Sequence, residues 1–486
     1  MARRKKRNGN TASENTANKK TNKVVVSTMI IFSLLFLVMG GYYAYFLYFK
    51  SEIIANNEYN ARYKAFSEIV VRGKIVSNSG EVLAYTKTDD DGKETRVYPF
   101  GDLFAHAVGY YDNGQTGVED AFNYQLLTSE VSGVEELKNE FTGEKSIGNT
   151  VVTTLDRTLQ ETAYDALGKN DGAVVCIDAK SGEILSLVSK PTFDPNNIRD
   201  LWDEFLSEDN ESTALLNRVT QGLYTPGSTF KIFTALEYIK ENNGSDDFSY
   251  YCGGTGYFDG FNIRCYGGSA HGSENLENAF AHSCNGAFAT MGLGLDINKF
   301  KNRLEGKLLF NTQLPLDIKT SESEFNLTSD DGDFDIAQTA IGQGKTLVTP
   351  IHMAMIAQAI SNNGVLLTPY IVDHVESVNG DIVEEHEITE YGRLMSSSES
   401  DLLMSYMKAV VSYGTAKSLN NDKYEAYGKT GTAQLNDATD NVNSWFVGGA
   451  NKDDENIVVA VVIENVEEGS AIASDVAKKV FDQYYK

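Results

Sequence analysis

Tyr224-Thr225-Pro226-Gly227-Ser228-Thr229-Phe230-Lys231 is the segment whose residue types and order could do chemistry. Pro226 and Gly227 stop the element before them, and Ile232, Leu236 and Ile239 continue as one apolar face, so the pattern predicts a helix with Ser228 in its first turn. An i, i+3 spacing sets Ser228 and Lys231 on one face with Cβ atoms about 5–6 Å apart. A lysine there can take the serine's proton, freeing the oxygen to attack a carbonyl. The helix N-terminus adds free backbone N–H groups and partial positive charge where an oxyanion would develop. Serine three residues before lysine is not distinctive alone: Ser405-Tyr406-Met407-Lys408 repeats it inside a predicted helix with no breaker ahead, and is read as structural. Ser-x-Asn is commoner still, at Ser13, Ser273, Ser283, Ser361, Ser377 and Ser418. Lys-Thr-Gly occurs once, as Lys429-Thr430-Gly431, followed by Thr432. It precedes a predicted hairpin beginning near Trp445, which suggests an edge strand lined by a cation and hydroxyls.

Other chemistries find less support. Gly-Lys-Thr occurs at Gly344 and Gly428, but Thr339 and Lys423 stand where a phosphate loop requires its first glycine. There is no G-x-S-x-G elbow, and none of the six histidines is spaced as the base of a Ser-His-Asp triad. The order Cys252, Cys265, His271, His282 matches no compact zinc spacing and there is no H-E-x-x-H, so no metal site and no cofactor are expected. Four cysteines, Cys176, Cys252, Cys265 and Cys284, are few for an exported chain of this size, so disulfides are not its main source of stability. Cys252 and Cys265 are close enough in sequence to meet, and spacing leaves open whether they pair or stay as free thiols.

The elements that must position these residues sit behind a membrane segment. Residues 1–23 hold eight Lys+Arg against Glu14, a balance of +7 in a chain whose net charge is −26. That acidic total argues against nucleic-acid binding. From Val24 to Phe49 there is no charged residue, and as a helix these 26 residues extend about 39 Å, enough to cross a bilayer. Tyr42, Tyr43, Tyr45 and Tyr48 gather at its far end, where aromatic rings favour the interface. An uncleaved anchor is expected, with the basic tail (1–23, disordered) in the cytoplasm and everything after Lys50 on the outer face. With 41% hydrophobic residues and 42 glycines in 486, the rest has the apolar share of a packed globular chain. Residues 50–150 read as a small first region with strand-like runs at Ile69–Val76 and Val82–Tyr85. Residues 151–486 read as an α/β layer fold: strands Val151–Leu155, Ala173–Ile177, Ile184–Val188, Trp445–Ala450 and Ile457–Glu464, with helices Arg157–Leu167, Pro350–Ser361, Ser400–Ser412 and Ala471–Tyr485. Asp156 is predicted as an N-cap. The stretch 200–420 is mostly helical in pattern, and the terminal strands are expected to share one largely antiparallel sheet.

In order, Ser228-x-x-Lys231, Ser283-Cys284-Asn285 and Lys429-Thr430-Gly431-Thr432 resemble the three motifs of penicillin-recognising serine enzymes. With Arg72-Gly73-Lys74, Thr154-Leu155-Asp156, Thr225-Pro226-Gly227, His271-Gly272 and Gly342-Gln343-Gly344, the chain from about residue 69 resembles a class B penicillin-binding protein. The resemblance implies a monofunctional peptidoglycan D,D-transpeptidase with a transmembrane helix, a pedestal domain (50–150) and a catalytic domain with a mostly antiparallel sheet between helices (151–486). It implies Ser228 as nucleophile, Lys231 as base, Ser283 as proton relay and Asn285 as a holder of the donor peptide. Lys429, Thr430, Gly431 and Thr432 would bind the substrate's terminal carboxylate, and the backbone N–H groups of Ser228 and Thr432 would form the oxyanion hole. Its implied partners are peptidoglycan stem peptides, β-lactams and a membrane lipid-II polymerase of the shape, elongation, division and sporulation class. Two other outcomes share these residues, a D,D-carboxypeptidase (or β-lactamase) resolved by water and a non-catalytic β-lactam sensor or scaffold. The pedestal favours the transpeptidase over the hydrolases. Cys284 is expected to pack, and His271 either to shape the site or to serve a turn.

Overall fold

Gly172–Asp178 and Ile184–Lys190 are buried at nearly every position. Unbroken Val, Ile and Leu runs of this kind belong to strands covered on both faces. In the computed structural model they form one side of a five-stranded antiparallel sheet ordered Glu425–Gln434, Asn441–Lys452, Glu455–Glu467, Gly172–Asp178, Ile184–Lys190. The Lys-Thr-Gly segment therefore lies on an edge strand, as its sequence context suggests. Helix Pro350–Ser361, buried from Pro350 to Ile360, packs against this sheet, and helices Arg157–Leu167 and Ala473–Tyr484 pack on it and on each other. A helix apolar on every side needs cover all round, which the sheet and helix Ser397–Ser412 supply. Asp156 accepts the Leu159 N–H at 2.8 Å and caps its helix as predicted.

The structure describes residues 11–49, 62–130, 139, 141–207, 211–435, 441–467, 469 and 472–486. It divides into two units, Met1–Tyr63 and Lys64–Lys486. In the first, helix Thr11–Phe49 carries an apolar stretch, Val25–Tyr45, of mean hydropathy 2.1 with none of it buried in protein. Such a stretch fits a bilayer span. The tail expected to be disordered is helical from Thr11, because a helix once formed extends by one hydrogen bond per residue ordered. Residues 1–10 of that tail, and 50–61 at the start of the expected pedestal, lie outside the described residues.

The second unit differs from expectation in two places. Between 200 and 420 the chain is not mostly helical: Tyr250–Cys252 pairs with Gly272–Glu274, Thr255–Phe258 with Phe261–Arg264, and Val365–Leu367 with Glu390–Arg393. These strands are three or four residues long, too short for their side-chain alternation to stand out in sequence. A six-stranded sheet also joins Ile382–Glu385 and Val372–Glu376 to Thr150–Thr153, Ile75–Val76, Val82–Thr88 and Glu94–Val97. The boundary drawn at residue 150 thus falls in a strand that ties the early residues to a hairpin more than two hundred positions later.

Next to this sheet lies a closed ionic cluster. Glu119 is fully buried; its carboxylate accepts from Arg72 Nε and Arg96 Nε at 2.7 Å each, and from Tyr98 Oη at 3.2 Å. Burial pushes the Glu119 pKa up, but the two guanidinium groups outweigh it and hold the carboxyl below its ordinary value. Removing this charge would leave two buried cations facing each other. Glu119→Gln is therefore expected to lower unfolding stability by about 3–5 kcal/mol, read from thermal and denaturant melts of the detergent-solubilised chain; a loss within error of zero would refute this reading.

Candidate active site

The turn that carries Ser228 is held from four directions. Gly227–Phe230 is a 3₁₀ turn that runs into helix Lys231–Glu241, so Ser228 precedes the α-helix instead of sitting in its first turn. The change reinforces the expected pairing, since residues i and i+3 eclipse each other at three residues per turn. Gly227 donates its N–H to Gly342 O at 2.9 Å, and Gly342, at φ +83°, has no room for a side chain: a Cβ would stand 1.7 Å from Gly227 O. Thr229 Oγ1 donates to Pro226 O at 2.7 Å, and Trp445 Nε1 donates to Thr225 O at 3.1 Å. The edge strand presses on the same turn, with Thr432 O where a Gly227 side chain would be. Gly227, Thr229 and Phe230 are buried while Ser228 is only half-buried, which leaves its hydroxyl as the reachable group of the turn.

Beneath Ser228 two amines meet. Lys231 and Lys429 are both fully buried. Lys231 Nζ donates to Asn285 Oδ1 at 2.7 Å, Ser283 O at 2.8 Å and Ser283 Oγ at 3.2 Å. Lys429 Nζ donates to the same Ser283 Oγ at 3.0 Å and to Thr430 O at 3.0 Å. Their outer sides face aromatic rings, Phe288 at 5.3 Å from Lys231 Nζ and Phe280 at 5.7 Å from Lys429 Nζ. Burial pushes the Lys231 amine down to about 7. Burial, and then the charge of Lys231, push Lys429 well below the ordinary lysine value. Two ammonium groups sharing one hydroxyl in a dry pocket repel each other, so near neutral pH the pair readily gives up a proton.

The structure thus brings Lys231, Ser283, Asn285 and Lys429 into one hydrogen-bonded set next to the Ser228 turn. Ser283 holds φ +57°, a left-handed conformation uncommon outside glycine, and this turns its carbonyl and hydroxyl toward Lys231. Asn285 opens helix Asn285–Gly294 and also donates Nδ2 to Arg264 O at 2.9 Å. Thr430 is half-buried and Thr432 exposed along the edge strand, and Gly431 lies against Pro226 and Thr229. Lys429 is not open to solvent as a carboxylate clamp would be: its amine is fully buried and meets Ser283 Oγ and Thr430 O. Ser405 donates to Leu402 O, and Lys408 pairs with Glu425 at 2.8 Å, as a structural role requires.

Sequence reasoning missed two features. Thr415 Oγ1 lies 2.5 Å from Thr430 Oγ1, and no motif marked it. Linear spacing also overlooked a convergence of potential ligand atoms. Cys252, Cys265, His271 and Cys284 converge with their donor atoms all within 4.8 Å of one another. The counted quartet used His282 where the fold uses Cys284, which arrives from the start of a helix.

Residues 172–485 match the family model described as the penicillin binding protein transpeptidase domain. The chain belongs to this family. Within the penicillin-binding transpeptidases, residues 72–151 match the penicillin binding protein A dimerisation domain. The chain is 28% identical over 422 residues to the peptidoglycan D,D-transpeptidase PbpA of Mycolicibacterium smegmatis, covering 81% of this chain and 84% of that one. Its fold is similar to the D,D-transpeptidase domain of a peptidoglycan glycosyltransferase from Eggerthella lenta, with TM-score 0.75, 29% identity, and coverage of 85% and 97%. Penicillin-binding protein A from M. tuberculosis, solved as an imipenem acyl-enzyme, is similar at TM-score 0.76 and 25% identity, covering 85% and 99%. This penicillin-binding protein is therefore a class B transpeptidase.

The contact between Gly342 and Gly227 can be tested directly. Gly342→Ala should push the Ser228 turn aside and slow acylation by a fluorescent penicillin about a hundredfold, as a displacement near 1 Å commonly does. Gly344→Ala, at a similar φ but with its nearest neighbour 3.7 Å from the added Cβ, should keep most of the rate. Equal rates for the two variants would show that the contact does not position the turn.

Proposed function

We propose that this transpeptidase is serine-type, with Ser228 as nucleophile, and that it cross-links peptidoglycan stem peptides on the outer face of the cell membrane. The observation that carries the reading is the single Ser283 hydroxyl held between two buried amines, Lys231 and Lys429, at the foot of the Ser228 turn. Neutral Lys231 takes the Ser228 proton as Oγ attacks the carbonyl between the two terminal D-alanines. The tetrahedral oxyanion rests on the backbone N–H groups of Ser228 and Thr432, a reading supported by the close approach of Thr432 to Gly227. On collapse, Ser283 relays to the leaving amine the proton that Lys231 took up, so the last D-alanine departs, Lys231 is neutral again and the acyl-enzyme remains. An amine from a neighbouring stem peptide then displaces Ser228 Oγ and leaves the cross-link.

The side chains take these parts according to their partners. Asn285 spends its oxygen on Lys231 and one N–H on Arg264 O, which leaves a second N–H for the donor peptide. Thr430 and Thr432 offer hydroxyls to the terminal carboxylate, and Gly431 lets the strand lie against the turn. Lys429 holds the strand that carries them, through its contacts with Thr430 O and Ser283 Oγ. The residues divide as a basic tail (1–23) inside the cell, an anchor (24–49), a pedestal (50–150) and a catalytic domain (151–486), an orientation supported by the +7 balance of residues 1–23. The anchor and pedestal would meet a membrane lipid-II polymerase of the shape, elongation, division and sporulation class, which supplies the strands to be joined.

Two outcomes are expected. A fluorescent penicillin should label the full chain, Ser228→Ala and Lys231→Ala should abolish labelling, and Ser405→Ala should leave it intact; labelling that survives in Ser228→Ala would refute the assignment. The base must be neutral and its pKa lies at about 7, so acylation should rise about tenfold per pH unit below that value and level off above it. A rate that stays flat from about 1.5 pH units below that value to about 1.5 above it would remove Lys231 from the role.

A further inference from the structure

The carbonyl of Arg264 accepts from Asn285 Nδ2 at 2.9 Å, so the strand that ends at Arg264 stands beside a residue of the active centre. Strand Phe261–Arg264 pairs with Thr255–Phe258 in a tight hairpin, with Thr255 opposite Arg264 and Tyr257 opposite Asn262. Side chains alternate between the two faces of such a ribbon. Gly256, Phe258, Phe261 and Ile263 make the inner face. A Cβ on Gly256 would stand 3.3 Å from the Cα of Gly286, the residue after Asn285, and the Phe261 ring meets Phe334 edge-on at 5.5 Å. Tyr257, Asn262 and Arg264 lie on the outer face and are exposed.

Arg264 differs from the other arginines. Arg72 and Arg96 meet Glu119, Arg157 meets Glu161, Arg199 meets Asp112, Arg218 meets Glu464, Arg303 meets Glu399, and Arg393 donates to Asn363 O. Among the described side chains, the Arg264 guanidinium alone of the arginines has neither a carboxylate nor a carbonyl to donate to. In a chain of net charge −26, a guanidinium left without an acid is an exception. Its place is nonetheless set. Its Nη2 and Nε lie 2.7 and 2.9 Å from where a Gly268 Cβ would be, and Gly267 and Gly268, at φ +56° and +70°, form the turn beneath it. A planar fork held this way loses little freedom when a ligand arrives.

We propose that Arg264 binds a carboxylate carried by the donor stem peptide on the second or third residue, ahead of the two D-alanines, and selects donors in which that acid is free over those in which it is an amide. The inference rests on the reading of Asn285 as the residue that holds the donor. One Asn285 N–H is spent on Arg264 O and the other is free for a donor carbonyl. Two acceptors on one amide nitrogen, each about 2.9 Å away and about 120° apart, stand about 5 Å from each other. The donor backbone therefore passes close to residue 264. One or two residues further along an extended peptide is about 3.5–7 Å, a span an arginine side chain covers. The terminal carboxylate goes to Thr430 and Thr432 on the edge strand, so the two acids of one donor are read by different elements. Arginine and carboxylate match as fork to fork, and an exposed pair of this kind is weakened by salt.

The test uses the full chain in detergent and synthetic depsipeptide donors ending in D-Ala-D-lactate, with a free carboxylate at the second stem residue, at the third, or at neither, the acid elsewhere being a primary amide. Acyl-enzyme is counted by intact mass. In the unsubstituted protein an acid-bearing donor should acylate about tenfold faster at low concentration than the all-amide donor, the difference lying in binding and shrinking as salt rises. The position that carries the preference identifies which acid is bound. Arg264→Gln should bring the ratio to about one and Arg264→Lys to an intermediate value, because lysine keeps the charge and loses the fork. Arg199→Gln should keep the full ratio, since that guanidinium is engaged with Asp112. Every variant retains the residue 264 carbonyl that Asn285 uses, and a ratio between donors is unaffected by the fraction of protein that folds. Equal rates for acid and amide donors in the unsubstituted protein, a ratio that survives in Arg264→Gln, or a preference expressed only toward the acceptor peptide would each overturn the proposal. Penicillin labelling of Ser228 is read without either peptide, so failure here and failure of the transpeptidase reading are separate results.

Discussion

Taking two lysine amines wholly out of water is the constraint around which the catalytic unit is organised. Each isolated ammonium would be costly in such a place, and the structure meets that cost with fixed acceptors: Ser283 O and Oγ, Asn285 Oδ1 and Thr430 O. Those acceptors come from a turn, a helix start and an edge strand, so the lysines can be satisfied only when the three elements are docked. The same burial lowers proton affinity toward neutrality, the range in which an amine can serve as a general base. Packing and reactivity are here one arrangement.

The Ser228 turn depends on the opposite kind of contact, backbone against backbone. Gly342 meets Gly227, Gly431 meets Pro226, and Thr432 meets Gly227, each at a distance that a side chain would prevent. Glycine serves these positions because two chains must approach closely and, at Gly342, because φ is positive. The five-stranded sheet is the rigid frame behind them: Trp445, paired with Gly431 across the ladder, reaches Thr225 O with its indole N–H. A cluster of Arg218, Glu464 and Tyr224, with the Arg218 Nε to Glu464 Oε1 contact at 2.7 Å, anchors the approach to the turn from the neighbouring strand.

Much of this was legible before any fold was seen. Helix boundaries at Arg157–Leu167 and Pro350–Ser361 coincide with the reading of their apolar spacing and caps, and the long buried strands announced themselves as Val and Ile runs. The small strands between 250 and 275 did not, because three or four residues rich in Tyr and Gly carry no period, and Tyr250–Cys252 meets Gly272–Glu274 only across the hairpin that intervenes. Ser228 was placed on a helix one turn too early for the same reason: the 3₁₀ geometry is imposed by Gly342 and the edge strand, which act from outside the segment.

Composition and order determined the long apolar N-terminal helix, the antiparallel α/β layers and the three motifs in their sequence, since hydrophobic period, uninterrupted apolar length and motif order are properties of the chain itself. Tertiary structure alone decided that Lys429 is buried behind Ser283, that Thr415 stands beside Thr430, and that Cys284 joins Cys252, Cys265 and His271. Distances across 15 to 146 positions depend on how separate elements dock, and docking is fixed by burial and hydrogen-bond satisfaction summed over the whole unit, which no local spacing encodes.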